Sequence, residues 1–162
     1  MKLAVDINAP SPLWRKLPRF RTLAREAIGA CVAETGLKAL DGAEVSLLLA
    51  DDAEVRALNA RWRGQDKPTN VLSFPAAPPD RLAQSPTLGD IALAFETLAR
   101  EAEASGVPLA NHYRHLVAHG FLHLIGYDHQ TDEEAERMEA LERRVLARLG
   151  VADPYADGLV TE

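Results

Sequence analysis

Three histidines fall within eleven residues, His119, His123 and His129, in the spacing HxxxHxxGxxH. On a helix the first two lie one turn apart on one face, with Cβ atoms roughly 5–6 Å apart, so both imidazoles reach a common point. Gly126 can adopt the left-handed conformation that ends a helix. The chain can turn there and bring His129 back to the same point. Three imidazole nitrogens around an open position form the donor set of a catalytic zinc site, whereas a structural zinc site closes with a fourth protein ligand. The cofactor expected is one divalent metal ion, Zn2+, held by His119, His123 and His129.

The same spacing occurs in a large class of zinc proteases, which place a glutamate after the first histidine as general base. Here that position is Gly120. Lacking that base, the site suits a substrate whose transition state is rich in negative charge. Phosphodiester cleavage fits: the metal polarises a phosphoryl oxygen or binds the attacking water, and a guanidinium stabilises charge on pentacoordinate phosphorus. The candidate arginine is Arg63, at the mouth of a polar loop; on its own it also reads as a surface arginine. Arg63 and His119 are therefore the catalytic candidates. Two further residues are candidates for orienting the ligands. Asp128, beside His129, either holds an imidazole through its second nitrogen or forms a turn. His115, one turn before His119, is a fourth ligand, an outer hydrogen-bond partner or a surface residue. His112 reads as surface.

These residues must be positioned by elements that the hydrophobic pattern outlines. Residues 2–7 read as a short strand, and Pro12 and Pro18 break the segment after it. A helix is expected over 18–35, with Phe20, Leu23, Ala24, Ala27, Ile28 and Ala30 inward and Gly36 as its stop. Residues 44–50 (EVSLLLA) read as a strand covered on both faces. Asp51 caps the next helix, with Glu54 three residues on, and that helix carries Val55, Leu58 and Trp62. Residues 71–74 form a strand that Pro75 assigns to an edge or an end. Residues 76–87 read as a mobile surface loop. A fourth strand over 88–95 and a helix over 96–105 precede the metal-bearing helix, 109–125, with Leu116, Leu122 and Ile125 as core contacts. Thr131 and Glu134 open a last helix through about Leu149, whose buried stripe is Met138, Leu141, Val145, Leu146 and Leu149. The tail from Val151 reads as loose. The alternation of strands and helices indicates an α/β layer.

The 162 residues, 47% apolar and 26% charged, fit one globular domain, 1–162. The one cysteine, Cys31, cannot form an internal disulfide and reads as a small buried apolar residue. The N-terminus lacks the apolar run of a secretory signal, and no stretch approaches a membrane span, so a cytoplasmic location and no membrane partner are expected. A net charge of −6 argues mildly against a non-specific nucleic-acid coat protein. Arg15, Lys16, Arg19, Arg21 and Arg25 nonetheless cluster early, as a solvated face or an RNA contact. Asp132, Glu133, Glu134, Glu136, Glu139 and Glu142 load the late segment with acid.

The blocks RWRGQDKPTNVLSFP (61–75), LGDIALAFE (88–96), HGFLHLIGYDH (119–129) and EEAERME (133–139) resemble, in order, those of the YbeY family of bacterial rRNA maturation factors. The resemblance extends from the strand near Glu44 to the last helix. It implies a metal-dependent, single-strand-specific endoribonuclease acting in small-subunit rRNA 3′-end maturation and ribosome quality control. It also implies that single-stranded RNA and the ribosome or its small subunit are the partners. His119, His123 and His129 match the family's metal ligands, and Arg63 matches an arginine regarded as functionally important there. Asn70 stands where relatives often carry Asp, which weighs against an essential carboxylate at that position. The fold implied is α/β (α+β), a mixed four-stranded sheet surrounded by about five or six helices. Two other readings stay open: a zinc peptidase or amidohydrolase, and a non-catalytic ribosome-assembly protein with a structural metal.

Overall fold

The structure is a computed structural model, which describes residues 1–155. Four strands form one mixed sheet: β1 (Ala4–Asn8), β2 (Glu44–Ala50), β3 (Val71–Pro75) and β4 (Thr87–Ala94), in the order β1-β2-β4-β3. β1, β2 and β4 run parallel, and β3 is antiparallel to β4 at the edge. Among the described residues five α-helices accompany the sheet: α1 (Phe20–Thr35), α2 (Asp52–Arg63), α3 (Phe95–Ser105), α4 (Leu109–Leu124) and α5 (Asp132–Arg148). This is the mixed four-stranded sheet with surrounding helices that the family resemblance implies.

Local chemistry sets the element boundaries. The Asp51 side chain accepts the Glu54 N–H at the start of α2, and Thr131 does the same for Glu134 at the start of α5. Each satisfies one of the amide donors that a helix start leaves without a partner. α1, α2 and α3 each end on a glycine in the left-handed region, Gly36, Gly64 and Gly106.

The main core lies between one face of the sheet and a layer made of α1, α4 and α5. Val45, Leu47 and Leu49 of β2, with Ile91 and Leu93 of β4, meet Leu116, Phe121 and Leu122 of α4. The opposite face is covered only toward one end, where Ala50, Leu72, Ala92 and Ala94 pack against Val55 of α2. β2 is thus not covered on both faces as its composition suggests, for Ser46 and Leu48 remain half-buried. On α2, Val55 is buried, but Trp62 is 60% exposed, with Arg61 stacked on its ring.

Three further expectations change. The proline-broken segment before α1 forms a 3-10 helix, Pro12–Lys16, that buries Trp14. Pro12 takes the first position of this helix, where no N–H is needed, and Pro18 lies beyond its end; the Trp14 indole donates to the Ala50 carbonyl (2.9 Å) and packs edge-on against Phe95, which anchors the segment. Residues 76–87, expected as a surface loop, contain a second 3-10 helix, Pro79–Gln84, held down by buried Leu82. In the tail, Val151 is buried and the Tyr155 hydroxyl reaches the interior of the helical layer. The remainder of that tail, 156–162, lies outside the described residues.

α4 approaches the sheet most closely at Gly120. A Cβ there would stand 2.9 Å from Ile91 Cγ2, 3.1 Å from Val71 Cγ2 and 3.2 Å from Ser73 Oγ. The Ser73 hydroxyl donates to the Gly120 carbonyl at 2.8 Å. Gly120→Ala should therefore destabilise the fold by about 1–3 kcal/mol through overpacking. Chemical denaturation checks this, and an unchanged midpoint would show that α4 can back away from the sheet at no cost.

Candidate metal centre

Four of the five histidines lie on α4, at 112, 115, 119 and 123, spacings that keep them along one side of the helix. The fifth, His129, arrives through the turn after the helix. Gly126 has φ +105°, and a Cβ on it would meet Pro79 at 2.7 Å, so both the turn and the approach of the 79–84 segment require glycine. The Tyr127 N–H donates back to Leu122 (3.0 Å) and the Asp128 carboxylate accepts the His129 backbone N–H (2.8 Å). The Asp128 carboxylate thus supports the backbone that carries His129, as a turn-forming aspartate does.

The turn brings the three sequence-predicted histidines together. One ring nitrogen each from His119, His123 and His129 lies within 4.8 Å of the others. The Nε2 atoms of His119 and His123 are 3.1 Å apart. Such a contact between ring nitrogens is tolerable only with a proton or a cation between them. Two nitrogens bound to one zinc at about 2.0–2.1 Å in a tetrahedron stand roughly 3.3 Å apart, so the observed separation fits a shared ion. Burial first, then the neighbouring imidazoles of His119 and His129, push His123 down to about 4. At neutral pH its lone pair is free for a metal, and the donor set is that of a divalent zinc site.

His115 does not join this group. It is buried, and its Nε2 lies 2.6 Å from Glu142 Oε1 of α5. The same oxygen lies 3.1 Å from Nδ1 of His119. His115, His119 and Glu142 thus form a second cluster of metal-binding types, fully buried and sharing His119 with the first. Burial works to raise the Glu142 carboxyl, but hydrogen bonds from His115 and His119 outweigh it and hold the group below the usual carboxylate range. Burial lowers the His115 imidazolium.

His112, expected at the surface, is buried too, with Nε2 2.8 Å from Glu101 of α3. Glu101 also accepts from the amide of buried Asn70 (3.0 Å). An aspartate at 70 would set two carboxylates against each other; the asparagine supplies donors instead.

Glu142 is the residue that sequence reading missed, being counted only among the acids that load the late segment. Its position carried a signal. Met138, Glu142, Val145 and Leu149 follow one helical stripe, so a glutamate there points inward with the apolar residues.

The three histidines open onto a cleft of about 690 Å³, bounded on its far side by the outer edge of β3 and the loop after α2. Arg63, the last residue of α2, lines this cleft with Lys67 and Thr69. Its guanidinium donates to the Ser73 carbonyl and lies 5.2 Å from the Phe74 ring centre. Ser73 in turn holds Gly120, next to His119. The structure therefore brings Arg63 and the histidines to one cleft. Arg15, Lys16, Arg19, Arg21 and Arg25 are exposed and do not line it.

A family profile described as Endoribonuclease YbeY matches residues 13–150. A protein of that description from Methylocella silvestris is 50% identical over 161 residues, 99% of this chain and 90% of the relative. Another from Bradyrhizobium diazoefficiens is 51% identical over 156 residues, 94% of this chain and 85% of the relative. Among solved structures, the solution structure of TM1509 from Thermotoga maritima has a TM-score of 0.57 and 25% identity, covering 94% of this chain and 99% of that one.

Zinc titration of the purified protein tests the donor set. His123→Ala and His129→Ala should each lower zinc affinity at least about 10-fold, while His112→Ala, whose hydrogen bond goes to Glu101 and not to the cluster, should bind zinc as tightly as the parent protein. Undiminished binding in His129→Ala would remove the turn histidine from the site.

Proposed function

Because the chain belongs to the YbeY family of endoribonucleases, we propose that it cleaves single-stranded RNA, in a metal-dependent reaction, in the cleft shared by His119, His123, His129 and Arg63. The observation that carries this reading is the convergence of three imidazole nitrogens and one guanidinium, from segments more than fifty residues apart, on the same open space. Three histidines hold the ion, and the side of the group toward β3 and the 65–69 loop is left to the substrate.

When bound, the divalent ion supplies Lewis acidity toward a phosphoryl group and acidifies water. The remaining work falls to the chain. Arg63 is held from two sides, by the Ser73 carbonyl and by the Phe74 ring, which fixes the guanidinium without neutralising it. A guanidinium so fixed places its free N–H donors where a phosphoryl group gains negative charge, and it needs little reorganisation as the charge develops. Lys67 adds a second positive charge to the cleft wall and favours entry of the phosphate backbone. His119 belongs to the reacting centre as a ligand.

The substrate carried by the family resemblance is the 3′ end of the small-subunit rRNA, with the ribosome or its small subunit as partner. Among the described residues no helix is long and apolar enough to cross a membrane. A cytoplasmic site of action is part of the same proposal, as that is where ribosomes are assembled.

A single-stranded RNA oligonucleotide, incubated with the zinc-loaded protein, should be cut, and a chelator should abolish the cutting. Arg63→Ala should slow cleavage on the order of 10²–10³-fold while zinc content stays at the parent level, the loss expected for one fixed donor to a developing charge. Arg63→Lys should recover little, because a point charge cannot keep both the Ser73 contact and the planar stacking. Chelator-resistant cutting would overturn the metal reading. A parent rate in Arg63→Ala would take the arginine out of the reaction.

A further inference from the structure

Glu142 sits where a carboxylate is expensive. It is 1% exposed, in the helical layer behind the histidine cluster and away from the RNA cleft. Its Oε1 atom gathers three polar contacts: His115 Nε2 at 2.6 Å, the Tyr155 hydroxyl at 3.0 Å and His119 Nδ1 at 3.1 Å. An ionised carboxylate only accepts, so each of the three partners must donate. His115 then carries its proton on Nε2, which leaves its Nδ1 bare. That atom is buried with no hydrogen-bond partner, the arrangement an unprotonated nitrogen tolerates better than an N–H would. His119 carries its proton on Nδ1, which leaves Nε2 bare and facing the Nε2 of His123.

We propose that Glu142 is a positioning residue for the metal centre: anchored by His115 and by Tyr155 of the C-terminal segment, it fixes His119 in the tautomer whose Nε2 lone pair points at the ion. This rests on the reading of His119, His123 and His129 as the ion's ligands. The carboxylate makes the imidazole a better donor by drawing on its Nδ1 proton, and it prevents the ring from turning. Its negative charge, one imidazole away from a divalent cation, also offsets the ion's charge in a buried setting. His115 is then a strut for the carboxylate. Tyr155 links the far end of the chain to the quality of the metal site, since the Val151–Tyr155 segment has to dock for the third contact to form.

Three measurements test this, and only affinity depends on the ion being bound. In the metal-free parent protein, nitrogen NMR should show His119 protonated on Nδ1. Glu142→Gln, which keeps size and removes charge, should mix the tautomers and weaken zinc binding about 10–100-fold in competition with a chelating dye. Tyr155→Phe, which removes one donor and keeps the ring, should weaken binding in the same direction by less. Thermal unfolding of the metal-free variants separates positioning from packing, because a purely structural glutamate would lower the melting temperature and leave zinc affinity at the parent value. That outcome would overturn the proposal, as would an Nε2-protonated His119 in the parent. So would a second zinc ion per chain that disappears in Glu142→Gln, since Glu142 would then be a ligand. A parent protein that binds no zinc, with His119 still protonated on Nδ1, would instead sink the ligand assignment on which the proposal rests.

Discussion

The site depends on how near α4 can come to the edge of the sheet. At Gly120 the helix meets the side chains of β3 and β4 with none of its own between, and the Ser73 hydroxyl closes the contact on the Gly120 carbonyl. Ser73 is then tied on one side to the helix that carries His119 and on the other, through its carbonyl, to Arg63. Two groups of one cleft, carried by helices on opposite faces of the sheet, are thus referenced to one residue of one strand. Shape complementarity at this point is worth more than burial alone, because interiors packed at crystal-like density transmit small displacements.

α4 is unusual in burying a row of imidazoles along one side. Each would cost free energy without a partner. The partners come from different elements: Glu101 of α3 serves His112, and Glu142 of α5 serves His115 and His119. The polar row therefore ties α3, α4 and α5 to one another, on top of the apolar packing around it. It also divides the histidines by task. Those at 112 and 115 are committed to carboxylates, and those at 119 and 123 keep a nitrogen for the cleft.

Much of this was legible in the sequence, for physical reasons that differ by element. β2 and the start of α2 were delimited to within a residue because an apolar run stops at Asp51, a residue that both ends a strand and caps a helix. The histidine triplet was legible because helical periodicity and one glycine suffice to bring it together. What escaped was decided by partners distant in sequence. Trp14 could not be read as an anchor without knowing that the Ala50 carbonyl would meet it. Leu82 lies in a stretch whose composition reads as a loop, yet one leucine over the core orders it. Glu142 was hidden by its acidic neighbours, although the stripe it shares with Met138 and Val145 marks it as inward. His112 looked superficial because Glu101, eleven residues earlier, belongs to another helix.

The edge strand β3 borders the cleft, and an exposed sheet edge is also where an extended peptide could add as a further strand. Asn70 accepts from Ala94 and Ala76 donates to Leu88, so even-numbered residues face β4 and the backbone groups of 71, 73 and 75 face outward. Of these, the Ser73 carbonyl is taken by Arg63, and Pro75 has no N–H to give. The row of hydrogen-bonding groups that would zip up a polypeptide is interrupted at two of its three positions. The arginine proposed to serve a phosphate thereby also spoils the template for a peptide, so one side chain disfavours one class of polymer at the cleft where it would receive another.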